Sequence, residues 1–118
     1  MRSLFSFLAG ASCLLLGACA ATSVRDASLQ LDPGSTKAEV RQSMGTPEDR
    51  QFQGTAEAWQ YSAVSTIGVC EYTVVWFRDA KVTGISTYRN TSSMGCRAGV
   101  LPVRWEDAPD HTVEIRNR

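Results

Sequence analysis

Four side chains of the chain carry thiols: Cys13, Cys19, Cys70 and Cys96. A thiol can hold a metal, cycle between redox states, take a lipid or cross-link, and spacing and compartment decide which. No Cys-x-x-Cys pair occurs and His111 is the sole histidine, so the four-ligand spacing of a zinc site is absent. Asp107 and Asp110 beside His111 have the residue types of an acid–base cluster, but they sit in a polar segment with Pro109 and read as solvated loop. No Gly-x-Ser-x-Gly nucleophile motif, phosphate-binding glycine loop or dinucleotide fingerprint is present. Trp59 and Tyr61 have the types of a ligand-stacking pair; packing on one face of a strand is the commoner use. The sequence therefore predicts neither an enzyme nor a bound metal or cofactor.

The chemistry that remains lies in the cysteines. Arg2 followed by the uncharged, apolar Leu4 to Leu16 reads as a leader, too short to span a membrane as a helix of about 20 residues. It ends in Leu16-Gly17-Ala18-Cys19, which resembles the lipobox of bacterial lipoproteins, where the cysteine is acylated and becomes the first residue. An ordinary secretory leader cut near Ala18 or Ala21 is the alternative. Each buried methylene of an acyl chain contributes about 0.8 kcal/mol, and more than one chain gives stable anchoring. Ala20 and Ala21 lack the Asp that retains many lipoproteins at the inner membrane, so the resemblance implies the outer membrane, periplasmic face, in a Gram-negative bacterium. With Cys19 acylated and Cys13 removed, Cys70 and Cys96 are left in an oxidising compartment, where disulfides persist. They are expected to bond, closing a loop whose constraint contributes about 3.5 kcal/mol in the chain-entropy model; a redox or metal pair is the alternative.

Removing residues 1–18 from the 118 leaves 100, enough for one domain with a modest core. Arg2 leaves with the leader, so eleven basic side chains face twelve acidic ones. That balance gives no basic patch for nucleic acid and no like-charged run for a disordered arm. The expected organisation is leader 1–18, acylated cysteine and tether 19–30, and a folded domain with its tail over 31–118.

The elements follow from local signals. Ala20 to Arg25 reads as tether and Asp26 to Leu31 as a short helix. Thr36 with Glu39 three residues on forms a capping box for a helix from Lys37 to Met44; Gly45 supplies its left-handed end and Pro47 prevents resumption. Thr46 to Ala56, with Pro, Gly, Glu48 and Asp49, reads as loop and turn. Strands are expected near 57–62, 70–78 and 81–89, rich in β-branched and aromatic residues, with Gly68 and Asp79-Ala80 as turns. If Arg78 faces Lys81, then Phe77 faces Val82, Val75 faces Gly84 and Cys70 faces Arg89.

Gly34, Thr36, Val40, Gly45, Pro47, Trp59 and Tyr61, continued by Tyr72–Phe77 and Lys81–Tyr88, resemble the BamE (SmpA/OmlA) family of small outer-membrane lipoproteins. The resemblance covers about two-thirds of the chain after the leader and ends near Asn90. It implies an α+β fold: two short N-terminal helices packed on a three-stranded antiparallel β-meander. It also implies a non-enzymatic role through protein–protein contact with the β-barrel assembly proteins, as an accessory or scaffold in outer-membrane protein assembly or envelope integrity. The layout is similar as well to the repeat unit of β-lactamase inhibitory proteins, which gives an inhibitor-like or ligand-sensing periplasmic module as the alternative.

By the family's pattern the Phe77 face of the meander packs on the helices. Tyr72, Val74, Trp76 and Ile85 then form an apolar second face. Such a face is covered or used. The cover would be the tail, Gly99 to Ile115, with Leu101, Val103 and Trp105; the use would be a partner surface.

Overall fold

The computed structural model describes residues 23–66 and 68–109. Cys13, Cys19, the leader, Asp110, His111 and residues 112–118 lie outside the described residues. The described chain is built from two helices, α1 (Val24–Ser28) and α2 (Lys37–Met44), and four strands, β1 (Asp49–Gln53), β2 (Ala56–Thr66), β3 (Val69–Arg78) and β4 (Lys81–Thr91). The strands form one antiparallel sheet in the order β1-β2-β3-β4.

This corrects the expected architecture. The sheet has four strands where three were expected, and the helices are short and lie inside the chain rather than at its N-terminus. The added strand is β1, Asp-Arg-Gln-Phe-Gln, in the segment read as a loop. It pairs with β2 from Asp49↔Gln60 to Gln53↔Ala56 around a tight turn whose Gly54 has φ +59°. Helix α1 begins two residues earlier than read, because the Ser23 side chain accepts from the Asp26 N–H at 3.0 Å and caps it.

Helix α2 forms where its signals place it. Thr36 accepts from the Glu39 N–H at 3.2 Å, and the Glu39 carboxylate accepts from the Thr36 N–H at 3.2 Å. Gly45 ends the helix at φ +81°, which a residue with a Cβ adopts only with strain. The chain entering α2 is docked on the sheet: the Gly34 N–H donates to Val82 O at 2.7 Å and the Val82 N–H to Ser35 O at 2.9 Å. Helix position and strand β4 are thus coupled through backbone bonds as well as packing.

The β3–β4 hairpin turns at Asp79 and Ala80, both at positive φ (49° and 64°), as a two-residue turn that matches the strand twist requires. Arg78 pairs with Lys81 and Phe77 with Val82, but Thr83 is then left out of the ladder. Trp76 consequently faces Gly84, Val75 faces Ile85 and Cys70 faces Asn90, one position off the expected register. A bulge of this kind moves every later side chain to the opposite face. Here it brings Gly84 under Pro109, where a Cβ at residue 84 would stand 2.5 Å from the Pro109 Cγ.

The two faces of the sheet are covered differently. On one, Val40, Trp59, Tyr61, Val75, Phe77 and Val82 form a buried core with Val24, Leu31 and Met44 from the helical side packed against it. On the other, Ala58, Val74 and Trp76 are covered by Val103, Trp105 and Ala108 of the tail, with Tyr88 beside them. The tail has no long element: a 3-10 turn at Cys96–Gly99, an extended run, and a second 3-10 turn at Trp105–Asp107.

Candidate functional site

Cys70 and Cys96 are joined in a disulfide with Cα atoms 5.4 Å apart. Cys70 is the second residue of β3, on the tail face, so the bond pins the start of the tail at one end of the sheet. From there the chain runs back over the outer face, and side chains of the sheet take up its backbone groups. The Tyr72 hydroxyl donates to Cys96 O at 2.6 Å and the Asn90 amide to Gly99 O at 2.7 Å. Gly99 is required at that crossing, since a Cβ there would stand 2.3 Å from the Tyr72 hydroxyl. Gln60, fully buried, donates to Leu101 O at 2.7 Å and to the Asp49 carboxylate at 2.9 Å, and accepts from the Tyr88 hydroxyl at 2.7 Å. The Leu101 N–H donates to Tyr88 at 3.0 Å, and the Val103 N–H to the Gln51 side chain at 3.2 Å. Burial, with Asp49 and Glu48 nearby, holds the Tyr88 hydroxyl above its usual pKa against the opposing effect of the Leu101 N–H.

The residues read as a possible partner surface are therefore separated. Tyr72, Val74 and Trp76 are buried beneath the tail, and Trp76 meets Trp105 edge-on at 5.7 Å between centroids. Its indole N–H donates to Ser86 at 2.8 Å, and Tyr72 stacks on Tyr88 at 4.6 Å. Ile85 is not with them: the bulge at Thr83 carries it to the helix face of β4, where it is 37% exposed. The tail occupies the apolar face, so that face is interior in this structure.

The helix face holds the charged cluster that the sequence reading missed. Glu57 lies on β2 two residues before Trp59 and shares its face, with its side chain only 4% exposed. Its carboxylate accepts from the Trp59 indole at 2.6 Å and from Arg50 at 2.8 and 3.1 Å, and it pairs with Lys37 of α2. Burial raises the pKa of such a carboxyl, but Lys37, Trp59 and Arg50 together outweigh it and hold Glu57 below the ordinary carboxylate value. Arg41 of α2 and Arg50 of β1 each place a guanidinium 5.4 Å from the Trp59 ring centroid. Tyr61, two residues on, donates to Gly45 O at 3.0 Å; burial pushes its hydroxyl up to about 12 although Arg41 opposes the shift. Trp59 and Tyr61 thus serve as core, with polar ends tied to a carboxylate and a helix terminus.

The signal for this cluster was available. Glu57, Trp59 and Tyr61 alternate, so a charged residue stood on the apolar face, and a buried carboxylate requires partners. Asp107 sits in the second 3-10 turn with Arg104 at 3.9 Å, while the aspartate and histidine grouped with it lie outside the described residues. Among the described residues no three His, Cys, Asp or Glu side chains stand together as a metal site would need. Compared with known proteins, the chain matches no family model, no curated protein and no solved structure.

Proposed function

We propose that this chain is a non-enzymatic lipoprotein, held by acylated Cys19 on the periplasmic face of the outer membrane. Its role would be that of an accessory or scaffold in outer-membrane protein assembly or envelope integrity, acting through protein–protein contact. The observation that carries the reading is the Cys70–Cys96 bond. It is a structural staple suited to an oxidising compartment, and it stands in a chain whose leader ends in Leu16-Gly17-Ala18-Cys19. The resemblance of the Gly34–Tyr61 stretch to the BamE (SmpA/OmlA) family supplies the partner class. The buried polar side chains are spent on the fold: Gln60, Tyr72 and Tyr88 hold the tail and Glu57 holds α2 to β1. Contact is then left to exposed features such as Ile85 on edge strand β4 and Leu29 after α1.

Two measurements test this. Cys19→Ala should move the protein from the outer-membrane to the soluble periplasmic fraction and abolish labelling by a radioactive fatty acid. Retention in the membrane without label would remove the anchor from the reading. Cross-linking in intact cells followed by affinity capture should recover β-barrel assembly proteins. Recovery of a soluble periplasmic enzyme instead would replace this reading with the inhibitor-like one.

A further inference from the structure

A cleft of about 480 Å³ opens between α2 and β1, lined by Lys37, Ala38, Arg41, Gln42, Arg50 and Trp59. Three cations line it, and Glu57, buried beneath, pairs with two of them, Lys37 and Arg50. Lys37, Arg41 and Arg50 carry three positive charges against the one negative charge of Glu57, which leaves the cleft at net +2. Glu57 does not fill the donor capacity around it. Lys37 gives it one of three ammonium donors, and Arg50 gives it Nε and Nη2, keeping Nη1. Arg41 has no carboxylate partner among the described residues. Both guanidiniums sit 5.4 Å from the same buried indole, which forms an apolar part of the lining. The buried carboxylate holds Lys37 and Arg50, and both side chains line the cleft with Arg41.

We propose that this cleft binds an oxyanion of the phosphomonoester type. Such a group carries about −1.5 to −2 at neutral pH and three acceptor oxygens, matching the net charge and the three cationic side chains. Phe52 lies outside the cleft lining but is 64% exposed with Arg50 5.3 Å from its ring centroid, an apolar surface next to Arg50 that the group bearing the phosphate could meet. The phosphate can arrive on a small soluble ester or on a lipid headgroup, and the recognition chemistry is the same.

Arg41 is the residue to change, because it is exposed and no carboxylate depends on it. Equilibrium dialysis of the detergent-solubilised protein against radioactive inorganic phosphate should give saturable binding that weakens with added salt. Arg41→Gln should weaken it roughly ten-fold or more, as expected for loss of a charge-assisted contact, and Arg41→Lys should restore part of it. Thermal melts of both variants at the wild-type temperature establish that the fold is intact. Competition then separates the sources: dihexanoyl phosphatidic acid displacing phosphate better than glycerol 3-phosphate assigns a lipid headgroup, and equal displacement assigns a soluble ester. Absence of saturable phosphate binding, or binding that Arg41→Gln leaves unchanged, overturns the proposal.

Discussion

The two faces of one sheet are sealed by different physics. On the helix face, α2 satisfies its own backbone and presents Val40 and Met44, so Val40, Val75 and Phe77 pack mainly by apolar burial, and Glu57 is the carboxylate that ties Trp59, Lys37 and Arg50 together. The segment on the tail face has no such internal bonding. Its backbone groups must find partners in the sheet, because a buried orphan costs free energy comparable to a lost hydrogen bond. Tyr72, Asn90, Gln60, Tyr88 and Gln51 supply those partners, and the disulfide supplies the attachment. The apolar cluster beneath is correspondingly small, with Ala58, Val74 and Trp76 as its buried members. A sheet face covered by irregular chain therefore needs polar side chains at positions where a helix-covered face has apolar ones.

The largest expected effect is on the helix face. Trp59→Ala removes the biggest buried side chain there together with a donor to Glu57, and should cost about 3–5 kcal/mol in urea denaturation. Loss confined to tail-face probes would break the comparison. Cys70→Ser with Cys96→Ser, or reduction, should come next at about 3.5 kcal/mol or less. Iodide quenching of Trp76 and Trp105 should rise while helical circular dichroism persists; simultaneous loss of both signals would mean that the faces are one cooperative unit. Gln60→Leu leaves Leu101 O, Asp49 and Tyr88 without their shared partner and should cost about 1–3 kcal/mol, with the same rise in quenching.

The smallest effect concerns Glu57, where desolvation and pairing oppose one another. Its lowered pKa means stability present above the ordinary carboxyl value of 4.5 and lost as the pH falls through the folded value. Glu57→Gln should flatten that acid limb in pH-dependent melts and, near neutrality, lower stability by the contribution that the ionised carboxylate makes there. On the alkaline side Tyr61, raised to about 12 from 10, contributes stability present below pH 10 and lost as the pH climbs toward 12. Tyr61→Phe should remove that contribution.

The helix-face signals were legible because they are local. The Thr36–Glu39 box, the Gly45 stop and the Trp59–Tyr61 alternation each need only neighbouring residues. Strand β1 was not legible, since Asp49, Gln51 and Gln53 alternate as polar residues where a half-buried strand is expected to show apolar ones. Their face meets the tail, and Asp49 and Gln51 are chosen for hydrogen bonds that no local pattern foretells. The bulge at Thr83 was hidden for the same reason: it places Gly84 under Pro109, 25 residues further along the chain. Ile85 was consequently assigned to the wrong face. The Glu57 cluster was half legible, as a charge out of place, but Arg41 and Arg50 join it only through the fold.

The up-and-down order of the strands has a kinetic consequence. Each strand pairs with its sequence neighbour, so the meander closes through short loops, and topology of that kind favours quick formation. The bonds that seat the tail are of another class: Gln60 to Leu101 spans 41 residues and Gln51 to Val103 spans 52. They carry the largest loop-closure cost of those that seat the tail and have no surface to land on until β1 and β2 have paired. The tail is then expected to dock last, leaving an interval in which the sheet is complete and both thiols are still accessible to an oxidant. In that interval Tyr72 and Trp76 are expected to face water, and closure of the Cys70–Cys96 bond fixes the tail that covers them.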